Sequence, residues 1–231
     1  MKIGLLQINP TVGDLGGNAR LIAEALREAG ARGADLAITP ELALVGYLPR
    51  DLLLDPAFVA RSWDALARLA SDTAGLPPVL VGLPEPNPSD EGRPLFNSAV
   101  LLHGGELQQR FRKALLPTYD VFDEGRYFDE GPPQALTTIQ GTPTGLIICE
   151  DAWNDKQFWE RQLYEADPVE DLIRAGARAL ISINASPYHM GKRAQRREIF
   201  STAARRNKAP FVYVNLVGGN DQLVFLSLIH I

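Results

Sequence analysis

The sequence predicts an α/β fold, and three features carry that expectation. Short apolar runs that read as buried strands alternate with longer stretches of helical period. Roughly the first forty residues hold a strand, a helix and a strand, the pattern of a βαβ crossover with a parallel pair. Farther on, residues 96–102, Gly104-Gly105 and residues 107–111 read as a hairpin, which brings in antiparallel pairing. No internal repeat or linker interrupts the 231 residues, and a chain of that length can bury one large core, so we expect one domain.

Residues 2–8 form the first apolar run, broken by Asn9-Pro10. Turn residues follow, and Asn18 is the expected helix cap. Leu21, Ile22, Ala25, Leu26 and Ala29 then recur at helical spacing until Gly30 and Gly33. A second strand at 36–39 stops at Pro40-Glu41. Asp55-Pro56 supplies a cap and a first-turn proline for a helix with Phe58, Val59, Trp63, Leu66, Leu69 and Ala70 inward. Strands are expected at 79–83, 96–102 and 107–111, and Lys113 follows the last of these. Residues 117–133 lack a period but combine aromatics with acids, the make-up of a functional loop. Strands at 135–139 and 145–148, a helical region at 157–175 broken by Pro168, a strand at 179–183, a helix at 191–207 and a strand at 211–216 complete the expectation.

Composition limits the partners. A net charge of −5 argues against nucleic acid, which usually meets a basic face. A single cysteine rules out an intrachain disulfide and suits a reducing compartment. With no signal-peptide pattern and no apolar run of the roughly 18 residues a membrane span needs, the expected location is the cytoplasm, with no membrane partner.

Three expected strands end on reactive groups: Glu41, Lys113 and Cys149. Each alone has an ordinary explanation. Glu41 could cap a helix, Lys113 could be a solvated surface lysine, and most lone cysteines are small buried hydrophobes. Together they suffice for acyl transfer. A thiol, with an unperturbed pKa of about 8.5, gains from a general base such as Glu41, which then protonates a leaving amine. Lys113 and the backbone N–H of Glu150 would stabilise the oxyanion.

Pro40-Glu41-Leu42, the lysine of Arg112-Lys113-Ala114-Leu115-Leu116-Pro117, and Ile148-Cys149-Glu150-Asp151 resemble the three signature segments of the nitrilase, or carbon–nitrogen hydrolase, superfamily. The resemblance implies an α-β-β-α sandwich and the Glu–Lys–Cys roles given above. The segments starting at Glu41 and Leu116, together with Asn184-Ala185-Ser186-Pro187-Tyr188-His189, are similar to the glutaminase domain of glutamine-dependent NAD synthetases. That likeness implies hydrolysis of L-glutamine, with ammonia passed to a synthetase domain that amidates deamido-NAD. By motif position Tyr119, Ser186 and Lys192 would hold glutamine, and Glu124 would be the second glutamate near the catalytic lysine. Their chemistry suits an α-carboxylate and an α-ammonium. Otherwise Lys192 belongs to a basic surface run and Ser186-Pro187 to a turn. No cofactor is implied for such a domain, since ATP and Mg²⁺ would belong to the synthetase domain. The resemblance also implies a homo-oligomer. His103, His189 and His230 lack metal-ligand spacing, so no metal site is expected.

Two stretches depart from the pattern. Residues 154–167 look longer than in many members and acquire no role from sequence. After family-like residues 218–225 the chain ends in Leu226-Ser227-Leu228-Ile229-His230-Ile231, which reads as a foreign tail. The expected organisation is therefore a glutaminase domain at 1–225 and a tail at 226–231, lacking the closing strands and the synthetase domain. The alternatives are a stand-alone ω-amidase-like enzyme for another small amide, or an inactive truncated domain.

Overall fold

The computed structural model describes residues 1–155 and 158–226. Strands β1 (Ile3–Leu5), β2 (Leu36–Ile38), β3 (Val79–Pro86), β4 (Leu95–His103) and β5 (Glu106–Arg112) form one sheet in that order. β1, β2 and β3 pair in parallel, and β4 and β5 add antiparallel neighbours. A second sheet holds β6 (Thr137–Ile139), β7 (Thr142–Ile148), β8 (Ala179–Asn184) and β9 (Phe211–Asn215), with β7, β8 and β9 parallel.

Alternation along each strand stacks the layers. Leu36, Ile38, Leu80 and Phe111 of the first sheet share a core with Leu146, Ile148, Ile181 and Ile183 of the second. Ala37, Val79 and Val81 instead meet helices α1 (Leu15–Ala31) and α2 (Pro56–Asp72). Ile147 and Leu180 meet α3 (Pro168–Arg174) and α4 (Lys192–Asn207). The result is the α-β-β-α sandwich.

Several local expectations change. The cap of α1 is Asp14, whose carboxylate accepts from the Gly17 N–H at 2.8 Å. Asn18 lies inside the helix and ties down the neighbouring loop, donating to the carbonyls of Thr11 and Leu44. The helical region expected at 157–175 contracts to α3, because Asp167 caps Glu170 and Pro168 occupies the first turn. Pro168 thus begins a helix rather than breaking one. Before it, Asn154 folds the chain back by donating to the carbonyls of Tyr164 and Ala166 at 2.9 and 2.6 Å. The first strand shortens to Ile3–Leu5, and 135–139 to β6, which forms a hairpin with β7. Residues 218–225 form a further hairpin of β10 (Gly218–Asn220) and β11 (Leu223–Phe225). Gln157 and residues 227–231, including most of the expected tail and His230, lie outside the described residues. No helix among the described residues is long and apolar enough to cross a membrane.

Strand direction positions the site. β2, β3 and β5 run the same way, so Glu41 after β2 and Lys113 after β5 leave one sheet edge. β4 runs oppositely, which puts its beginning, with Asn97, at that edge too. In the second sheet, Cys149 after β7 and Ala185-Ser186 after β8 also leave a common edge.

Candidate active site

Glu41 reaches its place because the chain turns tightly over β3. A Cβ on Gly82 would lie 2.5 Å from the Leu42 nitrogen and 2.7 Å from the Pro40 carbonyl oxygen, so only glycine admits the Pro40–Leu42 turn there. The turn is pinned from both sides. The Gly82 N–H donates to Thr39 Oγ1, and the Leu44 N–H donates to the Gly82 carbonyl.

Lys113 is held by the sheet as well. Its N–H donates to the Asn97 carbonyl at 2.8 Å, extending the β4–β5 pairing by one residue. Its side chain is 1% exposed, against the surface lysine that its type alone would suggest. Nζ donates to Glu41 Oε1 at 2.9 Å and to both oxygens of Glu124 at 2.8 Å. Tyr47 Oη donates to Glu124 Oε1 at 3.1 Å, and the Ala185 N–H donates to Glu41 Oε2 at 3.0 Å. Glu41, Lys113 and Glu124 are thus one buried cluster.

Cys149 follows β7 with φ of +47°, in the left-handed region that few residues other than glycine adopt. Asp151 holds this turn. Its Oδ2 accepts from the Ile148 N–H at 2.9 Å, and its Oδ1 accepts from the N–H groups of Ala114 and Leu115 at 3.0 and 2.9 Å. One carboxylate therefore fastens the cysteine turn to the segment following Lys113.

Burial dominates the titration of these groups. It pushes the Cys149 thiol well above its ordinary value, Glu41 adds to that, and Lys113 opposes it. Burial pulls the Lys113 ammonium down, but Glu124 and Glu41 outweigh it and hold the group well above its usual value. Glu124 is pushed up to about 7 by burial, against the pull of Lys113. Asp151 is pushed up to about 6 by burial, against its backbone donors.

Cys149 opens onto a cavity of about 330 Å³. Tyr119, Ser186 and Lys192 line it, as do Glu150, Trp153 and Tyr164. Burial lowers the pKa of Lys192, whose Nζ stands 5.1 Å from the centre of the Trp153 ring. Across the same cavity, Glu150 accepts from Tyr119 Oη at 2.9 Å and from Tyr164 Oη at 3.1 Å. Burial raises the pKa of Glu150, opposed first by Lys113 and then by the two tyrosines. Arg196, itself buried, donates to the Ser186 carbonyl and hydroxyl.

The seven side chains singled out from sequence therefore fall in two connected places. Glu41, Lys113 and Glu124 form the cluster, Tyr119, Ser186 and Lys192 line the cavity, and Cys149 belongs to the cavity while sensing the cluster. Sequence reasoning missed Asn97, Asp151, Tyr164 and the Glu150 side chain, for which only the backbone N–H was considered. Asn97 did leave a signal, as a polar residue at the start of an apolar strand. The stretch 154–167, without a role in sequence, supplies Trp159, Arg161, Leu163 and Tyr164 to the cavity wall. Among the described residues no group of three His, Cys, Asp or Glu could hold a metal ion.

A family model described as carbon-nitrogen hydrolase matches residues 2–228. A glutamine-dependent NAD(+) synthetase of Synechocystis sp. is 45% identical over 96% of this chain and 40% of its own length. A protein of the same name from Thermotoga maritima is 38% identical, over 97% of this chain and 37% of its own length. The chain therefore spans about 40% of the length of these relatives. Among solved structures, the glutamine-dependent NAD+ synthetase from Acinetobacter baumannii superposes with a TM-score of 0.85 at 32% identity, covering 97% of this chain and 40% of that one. An amidase from Nesterenkonia sp. gives 0.79 at 23% identity over 97% and 79% of the two chains, a likeness of fold alone.

Proposed function

The chain belongs to the carbon–nitrogen hydrolase family, and from that premise we propose that it is a glutamine amidohydrolase, with residues 1–225 acting as one glutaminase domain. One observation carries the choice of substrate. The cavity over Cys149 has a carboxylate, Glu150, and an ammonium, Lys192, on its walls. A simple aliphatic amide needs neither, whereas free glutamine brings an α-ammonium for the first and an α-carboxylate for the second. Tyr119 and Ser186 complete the binding shell, with Arg161 as a second cation at the wall.

In the reaction, Cys149 Sγ attacks the side-chain amide carbon of glutamine while Glu41 takes the thiol proton. A base is required because the buried thiol is held protonated. Lys113 and the Glu150 N–H stabilise the oxyanion that develops. Glu41 returns the proton to nitrogen, the C–N bond breaks, and ammonia leaves a γ-glutamyl thioester. Water then adds as Glu41 takes its proton. The C–S bond breaks, and the proton on Glu41 goes back to the sulfur, releasing glutamate. Every step uses groups of this chain, so we assign the domain no cofactor.

The relatives named glutamine-dependent NAD(+) synthetase support a destination for the ammonia: amidation of deamido-NAD by a synthetase domain, where ATP and Mg²⁺ would act. The test is ammonia release by the purified protein from L-glutamine, set beside propionamide. Preference for glutamine is expected. Equal turnover of both, or of propionamide alone, would replace glutaminase with a general amidase.

A further inference from the structure

Asn97 belongs to none of the roles assigned so far, yet it touches two of the buried acids. Nδ2 donates to Glu41 Oε1 at 2.8 Å and to Glu124 Oε2 at 3.3 Å. Its Oδ1 is buried and meets no donor. An unpaired buried acceptor is a cost that most buried polar groups avoid. Turning the amide over would not remove that cost, because it would set the carbonyl oxygen against two carboxylates. The orientation is therefore dictated by the acids, and an amide sits there for its donor. The residue is fixed as well as oriented, since its own carbonyl accepts the Lys113 N–H.

We propose that Asn97 is a positioning residue for the acid–base step, holding Glu41 in place for its exchange of a proton with the thiol. The asymmetry of its two contacts supports Glu41 as the acid it holds. A donor restrains most the acid it touches more closely, and Glu41 is the closer by 0.5 Å, the difference between 3.3 and 2.8 Å. Lys113 pairs with both acids, and Tyr47 donates its hydrogen bond to Glu124 while also feeling the charge of Glu41. Cys149 feels the charge of both acids, Glu150 and Tyr213 feel that of Glu41, and Tyr164 feels that of Glu124. Among these neighbours Asn97 is the one neutral donor shared by Glu41 and Glu124.

The inference rests on the Glu41–Cys149 chemistry proposed above, and two assays separate the two. Asn97→Leu removes the donor, while Asn97→Asp keeps the shape and exchanges the donor for a carboxyl group. Both variants are checked by thermal melting, then assayed for ammonia release from glutamine and for alkylation of Cys149 by iodoacetamide, which needs no glutamine. We expect kcat to fall by about 10²-fold, the low end of what acid–base groups contribute, with KM little changed. Alkylation should slow in parallel. The activity of Asn97→Asp relative to wild type should recover as the pH is lowered from about 8 to about 6, where a buried carboxyl takes up a proton and can donate again. That of Asn97→Leu should stay flat. Folded variants with wild-type alkylation and kcat, or an Asn97→Asp ratio without pH dependence, would overturn the inference. Should wild type release no ammonia from glutamine while alkylation still responds to Asn97, the inference stands and the glutaminase reading falls.

Discussion

Lys113 grips Glu124 through both carboxylate oxygens at 2.8 Å while touching a single oxygen of Glu41 at 2.9 Å. The unequal grip divides the labour between the two acids. Glu124 is a counter-ion fixed on the lysine, whereas Glu41 shares its first oxygen between Lys113 and Asn97 and gives its second to the Ala185 N–H. Glu41 is thus the acid held from both sheets, by Lys113 and Asn97 of the first and by the Ala185 N–H of the second, as the proposed proton transfer with Cys149 requires.

Removing Lys113 should cost stability as well as the proposed chemistry. Its side chain is buried with two carboxylates, and breaking such a pair commonly costs about 3–5 kcal/mol because a charge is left unpaired. The oxyanion role expected from sequence is therefore joined by a structural one, because the charge is buried. Lys113→Ala is therefore expected to lower the denaturation midpoint clearly and to lose turnover. Lys113→Ala with a wild-type midpoint would contradict the buried pairing.

Glu41→Gln should separate chemistry from folding better, since an amide can keep part of the hydrogen bonding. We expect a stable protein with turnover reduced by about 10²–10⁴-fold, the usual contribution of a positioned proton-transfer group. Cys149→Ala should be inactive and stable, and a glutamine-like electrophile should add one mass equivalent to wild type and none to that variant. Residual hydrolysis by Cys149→Ala would remove the thioester route.

Much of this arrangement is legible in the sequence, and the reasons differ by residue. Glu41 and Cys149 each follow an apolar run and Lys113 the second arm of the Gly104-Gly105 hairpin, so the joint placement at strand exits brings the three to notice. The helix boundaries were harder. Asp14 and Asn18 are both good caps by type, and only the contacts of Asn18 with Thr11 and Leu44 show which one is occupied elsewhere. Residues 158–167 have helix-compatible composition, but the Asn154 side chain takes up the carbonyls of Tyr164 and Ala166, a long-range choice that periodicity does not encode. Asn97, Asp151 and Tyr164 escaped because their importance lies in partners some 10 to 60 residues away, as with Tyr164 and Glu150 or Asn97 and Glu41.

Asp151 offers a test of how the two sheets are coupled at the site. It accepts three backbone hydrogen bonds, one from the cysteine turn and two from the segment after Lys113. Asp151→Ala leaves those N–H groups without their partner, at about 1–3 kcal/mol for each one left unsatisfied. The expected outcome is a marked loss of stability, and with it a fall in kcat as Cys149 and Lys113 lose their relative placement. A variant as stable as wild type would show that the turn at Cys149 is held by other means.

The acid limb of the pH profile should lie near neutrality. Glu124 is pushed up to about 7 and is coupled to Lys113 and Glu41, so the cluster takes up a proton as the pH falls through that region. A proton gained there reduces the capacity of the acids to accept one from the thiol, so kcat/KM should decrease below about pH 7. Glu124→Gln should move or erase that limb. An unchanged limb in Glu124→Gln would assign the titration to another group.

The cavity walls predict how specificity divides between binding and turnover. Glu150 and Lys192 line the cavity with opposite charge. Interactions with the α-groups of glutamine are equal in ground and transition states, because those groups do not react. Their loss raises KM and leaves kcat roughly unchanged. A charge-assisted hydrogen bond contributes about 1.5–3 kcal/mol, so Lys192→Ala should raise KM for glutamine by about ten- to a hundredfold. Glu150→Gln should do the same, while the amide oxygen still accepts from Tyr119 and Tyr164 and keeps the wall in place. Propionamide, lacking both α-groups, supplies the control, and its slow turnover should change little in either variant. Lys192→Ala with a collapsed kcat and an unchanged KM would move Lys192 from binding to chemistry. An equal loss for propionamide would show that the wall itself, rather than its charge, had been disturbed.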